Sequence, residues 1–129
     1  MDDAADIGTA GTTAGAVDLA GIVRAAGGRE ALARVMARAF LQEADAHVSS
    51  LARARDEEDH GQLSLLAHQL KGNAKLLRAA RAASLAEELE RAVQAGGGSG
   101  VRREVEDLSA EVRAVAAALA RWVEALPGG

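Results

Sequence analysis

From Val101 to Leu126 the apolar residues stand at Val101, Val105, Leu108, Val112, Val115, Leu119, Trp122 and Leu126, in alternating steps of four and three. This is the a/d spacing of a helix that lies along its neighbours at a shallow angle, and a strand, whose side chains alternate every second residue, cannot use it. The same spacing would serve an intermolecular coiled coil. Short connections to the preceding segments favour antiparallel packing within one chain. The rest of the sequence agrees with a helical fold: Ala, Leu, Glu and Arg dominate, aromatic residues make up 2%, and the single proline, Pro127, is close to the C-terminus. Helix propensity is therefore favourable almost everywhere.

The chain has 129 residues and no cysteine. That length fits one domain with a single core, and the missing thiols exclude a disulfide framework, a thiolate metal site and thiol catalysis. Residues 1–16 are rich in Gly, Thr, Ala and Asp without a period and are expected to form a disordered tail. A short helix is expected after Asp18 as N-cap, with Leu19, Ile22 and Val23 on one side, ending at Gly27-Gly28. A long helix follows from Arg29 to about Arg55, with Leu32, Val35, Met36, Ala39, Phe40, Ala46 and Leu51 as its apolar positions.

The charged run Arg53–Asp59 ends that helix, and Asp59 can cap a third one whose core stripe is Leu63, Leu66, Ala67, Leu70, Ala74 and Leu77. A fourth helix reads from about Ala82 to Ala95, closed by the Gly-rich stretch at 96–100, and the fifth is the Val101–Leu126 segment. Leu77 to Ala83 contains neither Gly nor Pro to mark the turn between helices three and four. The expected fold is all-α: an antiparallel four-helix bundle over residues 17–126 with a short additional N-terminal helix, and a C-terminal tail at 127–129. The chain's start and its Pro-Gly-Gly end read as those of a free-standing domain.

Nineteen acidic and fifteen basic residues give a net charge of -4 and are interspersed along the chain. No basic stripe offers the electrostatic footprint of a nucleic-acid binder. There is no signal-peptide pattern and no uncharged apolar run that could span a bilayer, so the expectation is a cytoplasmic protein without nucleic-acid or membrane partners.

One stretch stands out, Ala67-His68-Gln69-Leu70-Lys71-Gly72, because glycine inside a helix is about 1 kcal/mol less favourable than alanine. On a helical wheel His68 falls about 140° from Leu63, whereas the core stripe stays within about 60° of it. His68 therefore faces outward, on a strip with Gly61, Ser64, Gly72, Lys75 and Ala79, with Lys71 between that strip and the core edge and the apolar Leu65 one turn before it. An accessible imidazole is largely neutral near neutral pH and keeps one nitrogen lone pair for nucleophilic attack. A phosphoryl group is a suitable electrophile; Lys71 and Lys75, one and two turns on, can reach the resulting anion, and Gly72 clears space for an incoming protein surface. Ser64 can shape the site by hydrogen bonding, although its small size is the simpler reason for it.

The segment from Ala67 to Leu77 followed by Leu85–Glu90 resembles the histidine-containing phosphotransfer (HPt) domain of bacterial phosphorelays. The family signature maps onto His68, Leu70, Lys71, Gly72, Asn73, Ala74 and Leu77, with Leu89-Glu90 supplying a later Leu-Glu pair; the Gly27-Gly28 pair and Phe40 also fit. The resemblance covers about residues 17–126. It implies that His68 accepts a phosphoryl group from the aspartate of one receiver domain and passes it to another. It further implies that Lys71 and Lys75 support the phosphate and that Ser64, Leu65, Gly72 and Arg78 meet the receiver. The partners so implied are response-regulator receiver domains and a hybrid histidine kinase. The resemblance also implies that the chain itself binds no cofactor, that magnesium sits on the partner receiver, and that the chain is a monomer. No ATP-binding glycine loop accompanies the motif, so self-phosphorylation is not expected. Lys75 and Arg78 stand where the family often has glycine; an arginine after Leu77 either lengthens the third helix or adds a basic group near the phosphate.

Other readings compete. The dimerisation domain of a histidine kinase usually has an acid directly after its histidine and a proline soon after; Gln69 and the lack of proline before Pro127 argue against it. A di-iron bundle needs Glu-x-x-His pairs on two helices, which do not occur, so no metal ligands are assigned. A scaffold bundle without phosphoryl chemistry remains the alternative, in which His68 would be dispensable. Glu43 with His47 reads as a solvated surface pair, Phe40, Trp122 and Met36 as core, and Glu87, Glu88 and Glu90 beside Arg91 as an exposed helix face.

Overall fold

The computed structural model describes residues 17–97 and 99–125, with the side chains of 99 and 100 outside that description. The expected tails at 1–16 and 127–129, and Leu126, lie outside the described residues. Five helices follow one another: α1 (Leu19–Ala25), α2 (Glu30–Asp56), α3 (His60–Leu76), α4 (Ala80–Gln94) and α5 (Ser99–Ala125). The last four form the antiparallel bundle, in which α3 packs on α4, α4 on α5, and α2 on both α5 and α3.

Local chemistry sets the ends of these helices. The Asp18 carboxylate accepts from the Gly21 amide at 2.9 Å and starts α1, and the Asp59 carboxylate accepts from Gln62 at 3.0 Å and starts α3. α1 stops where Gly27 and Gly28 turn left-handed at φ 71° and 81°, which lets the Gly28 amide return to the Val23 carbonyl at 2.9 Å. The unmarked turn between α3 and α4 has the same design without glycine. α3 ends at Leu76, Arg78 takes φ 55°, and the Ala79 amide closes on the Ala74 carbonyl at 2.8 Å. Arg78 therefore does not lengthen the helix: it occupies the left-handed position that glycine favours. Glu58, at φ 54°, plays that part between α2 and α3.

The α3 stripe is buried as expected: Leu63, Leu66, Ala67, Leu70, Ala74 and Leu77 are all in the core. So are Leu85 and Leu89 of α4, and Val101, Val105, Leu108, Val112, Val115 and Leu119 of α5, with Ala92, Val93 and Trp122 half-buried against them. α2 differs. Its buried seam runs Ala33, Ala37, Phe40, Ala44, Leu51 and Ala54, with His47 half-buried on the same line, while Leu32, Val35, Ala39 and Ala46 are exposed and Met36 is half-buried at the edge. This is again a/d spacing, carried mostly by alanines, whose small side chains let α2 approach the core closely.

α1 closes one end of the bundle. Val17, Ile22 and Ala26 are buried, the Asp18 amide donates to the Arg78 carbonyl at 3.0 Å, and the buried Gly21 lies against the Arg78 methylene chain. At the opposite end Gly97, at φ 84°, lies so close to the His60 ring that a Cβ there would come within 2.6 Å of Cε1. No described helix is long and apolar enough to cross a membrane.

Candidate functional site

His68 projects from the solvent side of α3 with 72% of its side chain exposed, held in place by the buried Ala67 and Leu70 on either side of it in sequence. Ala79, read from the sequence as part of the outward strip, is buried instead, because α3 ends at Leu76 and the chain turns there. The rest of the strip is present: Gly61 is exposed, Gly72 is exposed with nothing within 4 Å of where its Cβ would be, Ser64 is half-buried, Leu65 is 50% exposed and Lys75 is exposed. These residues share one face through helical spacing alone. Arg78 lies apart from them, in the turn beyond the end of α3, with its stem against α1 and its side chain exposed.

The side of this strip that faces α4 carries a residue read from the sequence as an ordinary surface acid. Glu90 has only 15% of its side chain exposed, and its two oxygens divide between two partners on α3. Lys71 Nζ donates to Oε1 at 2.9 Å, and His68 Nδ1 lies 3.5 Å from Oε2. Lys71 is thus no free cation beside the histidine; Glu90 already holds it. The Lys71 hydrogen bond holds the Glu90 carboxyl below the usual carboxylate range, against the opposing effect of burial, with the charges of Lys71 and His68 adding to it. The same hydrogen bond raises the Lys71 ammonium above its ordinary value.

The signal for Glu90 lay in its neighbours on α4. It stands one turn from Ala86, which is buried, and from Val93, which is half-buried, so it borders the face turned to α3 rather than the solvated face of Glu87 and Arg91. The Leu89-Glu90 pair was part of the family resemblance, but its partner was not legible without the register of α4 on α3.

On the other flank of α3, toward α2, a shallow apolar groove is lined by Met36, Ala39, Phe40, Glu43, Asn73 and Leu76. Leu76 and Val35 are 62% and 60% exposed, which makes this flank the more apolar of the two. Glu43 and His47 meet at 3.6 Å between Oε1 and Nε2, yet His47 is 13% exposed and tilted over the Phe40 ring at 6.2 Å, so it is not a solvated partner. Among the described residues no three His, Cys, Asp or Glu side chains gather as metal ligands.

An exposed imidazole with a carboxylate at one nitrogen and open solvent at the other is equipped to act as a nucleophile through the open side. Comparison with known proteins bears on which chemistry it serves. The family model described as the Hpt domain matches residues 35–122, which contain α3, α4 and most of α2 and α5. Histidine-containing phosphotransfer protein B (HptB) of Pseudomonas aeruginosa PAO1 superposes with a TM-score of 0.77 at 20% identity, over 85% of this chain and 96% of that one. The HPT domain of the Hpt sensor hybrid histidine kinase from Shewanella superposes with a TM-score of 0.75 at 19% identity, over 83% and 92%. At such identities the superpositions speak for the fold. Comparison with curated proteins gives no match. Hpt domains interact with receiver domains and hybrid kinases. On the match across two-thirds of its length, joined to the helical bundle, the chain belongs to the Hpt domain family and has that family's role of histidine phosphotransfer in phosphorelays.

Proposed function

We propose that His68 is the phosphoacceptor of this relay, taking a phosphoryl group from the aspartate of one receiver domain and handing it to the aspartate of another. The observation that carries this reading is the placement of Glu90 at Nδ1 of an otherwise open ring. A carboxylate beside Nδ1 favours the tautomer with the proton there, which leaves the Nε2 lone pair free on the solvent side. Nε2 is then the nucleophile. The phosphoryl group it receives is anionic, and Lys75, exposed one turn beyond Gly72, is available to it. Lys71 can contribute without leaving Glu90, since an ammonium has three donors.

Gly72 leaves the space above the ring clear for the receiver, flanked by Ser64 and Leu65, while Arg78, exposed in the turn beyond α3 and apart from this strip, offers the receiver a positive charge farther along. Phosphoryl transfer is chiefly a matter of positioning and charge stabilisation. In this reading the receiver brings the magnesium ion and the acidic residues, the bundle brings a correctly placed imidazole, and the chain works as a cytoplasmic monomer between a hybrid kinase and a response regulator. Incubation with a phosphorylated receiver tests it: the label should be acid-labile, base-stable and absent from His68→Gln. Equal labelling of that variant would remove His68 from the reaction and favour a scaffold role.

A further inference from the structure

With His68 as the phosphoacceptor through Nε2, Glu90 faces the other ring nitrogen, and any part it plays in the transfer rests on that assignment. Transfer away from a phosphorylated imidazole breaks the P–Nε2 bond and sends its electron pair to Nε2. With a proton on Nδ1 the leaving group is neutral imidazole. Without that proton it is the imidazolide anion, a much stronger base and a much poorer leaving group. The forward donor is thus a cationic ring, and whether it keeps its proton depends on what faces Nδ1.

Here that group is the Glu90 carboxylate, 3.5 Å away and itself anchored by Lys71 at 2.9 Å. The anchor turns one oxygen toward Lys71 and the other toward the ring. The charges acting on this corner are Lys71 and His68 from α3 and, flanking Lys71 from α4, Glu87 and Arg91. On the far flank of α3, Glu43 of α2 lines the apolar groove and faces His47.

We propose that Glu90 is a positioning residue for onward transfer: its carboxylate retains the Nδ1 proton on phosphorylated His68, so that the ring departs as neutral imidazole when the next nucleophile attacks phosphorus. The step balances without an added acid. The acceptor carboxylate oxygen forms the O–P bond, the P–Nε2 bond breaks with its pair going to Nε2, and the Nδ1 proton stays in place. Loading is the reverse, with the Nε2 lone pair attacking an aspartyl phosphate and Glu90 offsetting the positive charge that the ring acquires. When water is the acceptor, the same step gives inorganic phosphate.

The test uses the full chain and a small phosphodonor, potassium phosphoramidate, so that no receiver is needed. Wild type, Glu90→Gln and Glu90→Asp are loaded, and loss of phosphohistidine is followed by phosphorus NMR between about pH 5 and about pH 9, a range that brackets imidazole titration. Loss should begin to slow at a higher pH in the wild type than in Glu90→Gln. On the alkaline side Glu90→Gln should retain its phosphoryl group about fivefold longer, the factor that one charge at about this separation is worth in water. At the acid end, where the ring is protonated in both, the rates should converge, and Glu90→Asp should keep the wild-type midpoint. A merely structural role would move the rates at every pH. Coincident profiles for wild type and Glu90→Gln, or faster loss from Glu90→Gln, would overturn the proposal while leaving His68 as the acceptor. Loading of His68→Gln to the wild-type level would overturn the acceptor assignment and the proposal with it.

Discussion

Replacing Arg78 with glycine should stabilise the fold, although it removes a side chain that packs against α1. Arg78 sits at φ 55°, where a residue with a Cβ is disfavoured by about 1–2 kcal/mol. Glycine relieves that strain but gives the unfolded chain more freedom, which offsets about 0.4–1 kcal/mol of the gain. The hydrogen bonds of the turn, from the Arg78 amide to the Lys75 carbonyl at 3.2 Å and from the Asp18 amide to the Arg78 carbonyl at 3.0 Å, are made by backbone and survive the change. The net expectation is about 0.5–1 kcal/mol, or a rise in Tm of about 2–6 °C for a domain of this size, read by circular dichroism melting. Glu58→Gly is the matched control, with φ 54° in an equivalent turn and an exposed side chain. If both variants melt below the wild type, the account of these turns as strained left-handed caps is wrong. If only Arg78→Gly does, the contact of its stem with Gly21 outweighs the strain.

Gly72→Leu should raise helix stability by up to about 1 kcal/mol in thermal melts, because the position is open to solvent, yet abolish labelling by a phosphorylated receiver; preserved labelling would contradict the steric role of Gly72. Lys71→Ala should slow phosphotransfer while far-ultraviolet circular dichroism stays unchanged, since the residue is at the core edge and also releases Glu90. The Lys71–Glu90 pair should also give stability a pH dependence. The Glu90 carboxyl is held below its ordinary value, so its contribution is present above the unfolded carboxyl range near pH 4.3 and is lost as the pH falls through the folded value. Lys71 is raised, so its contribution is complete below about pH 10.4 and is lost above that, as the pH rises through the folded value. The Tm difference between wild type and Glu90→Gln should accordingly be widest from about pH 6 to about pH 9 and close toward acid.

The parts of this fold legible in the sequence are those written in large apolar residues and capping side chains. The leucines of α3, the valines of α5 and the carboxylates of Asp18 and Asp59 each state their structural role locally. The α2 seam was misplaced because it is built from alanines, while Leu32 and Val35, which look like core by size, remain on the surface. The α3–α4 turn was unmarked because Arg78 adopts by backbone geometry what glycine would announce by identity. The outward placement of His68 was legible from helical spacing alone, since it depends only on which face of its own helix is buried. Glu90 required knowing which turn of α4 lies beside His68 and Lys71. That register is a property of packing between helices and is not written in either segment by itself.

The central claim is that this bundle shuttles a phosphoryl group through His68, and a chase measures it most directly. The chain is loaded with radiolabelled phosphoryl from one phosphorylated receiver, purified, and mixed with a second, unphosphorylated receiver and magnesium. Label should leave His68 and appear in equal amount on the second receiver, with no transfer through His68→Gln. Label that stays on the chain, or that reaches the second receiver equally well through His68→Gln, would contradict it.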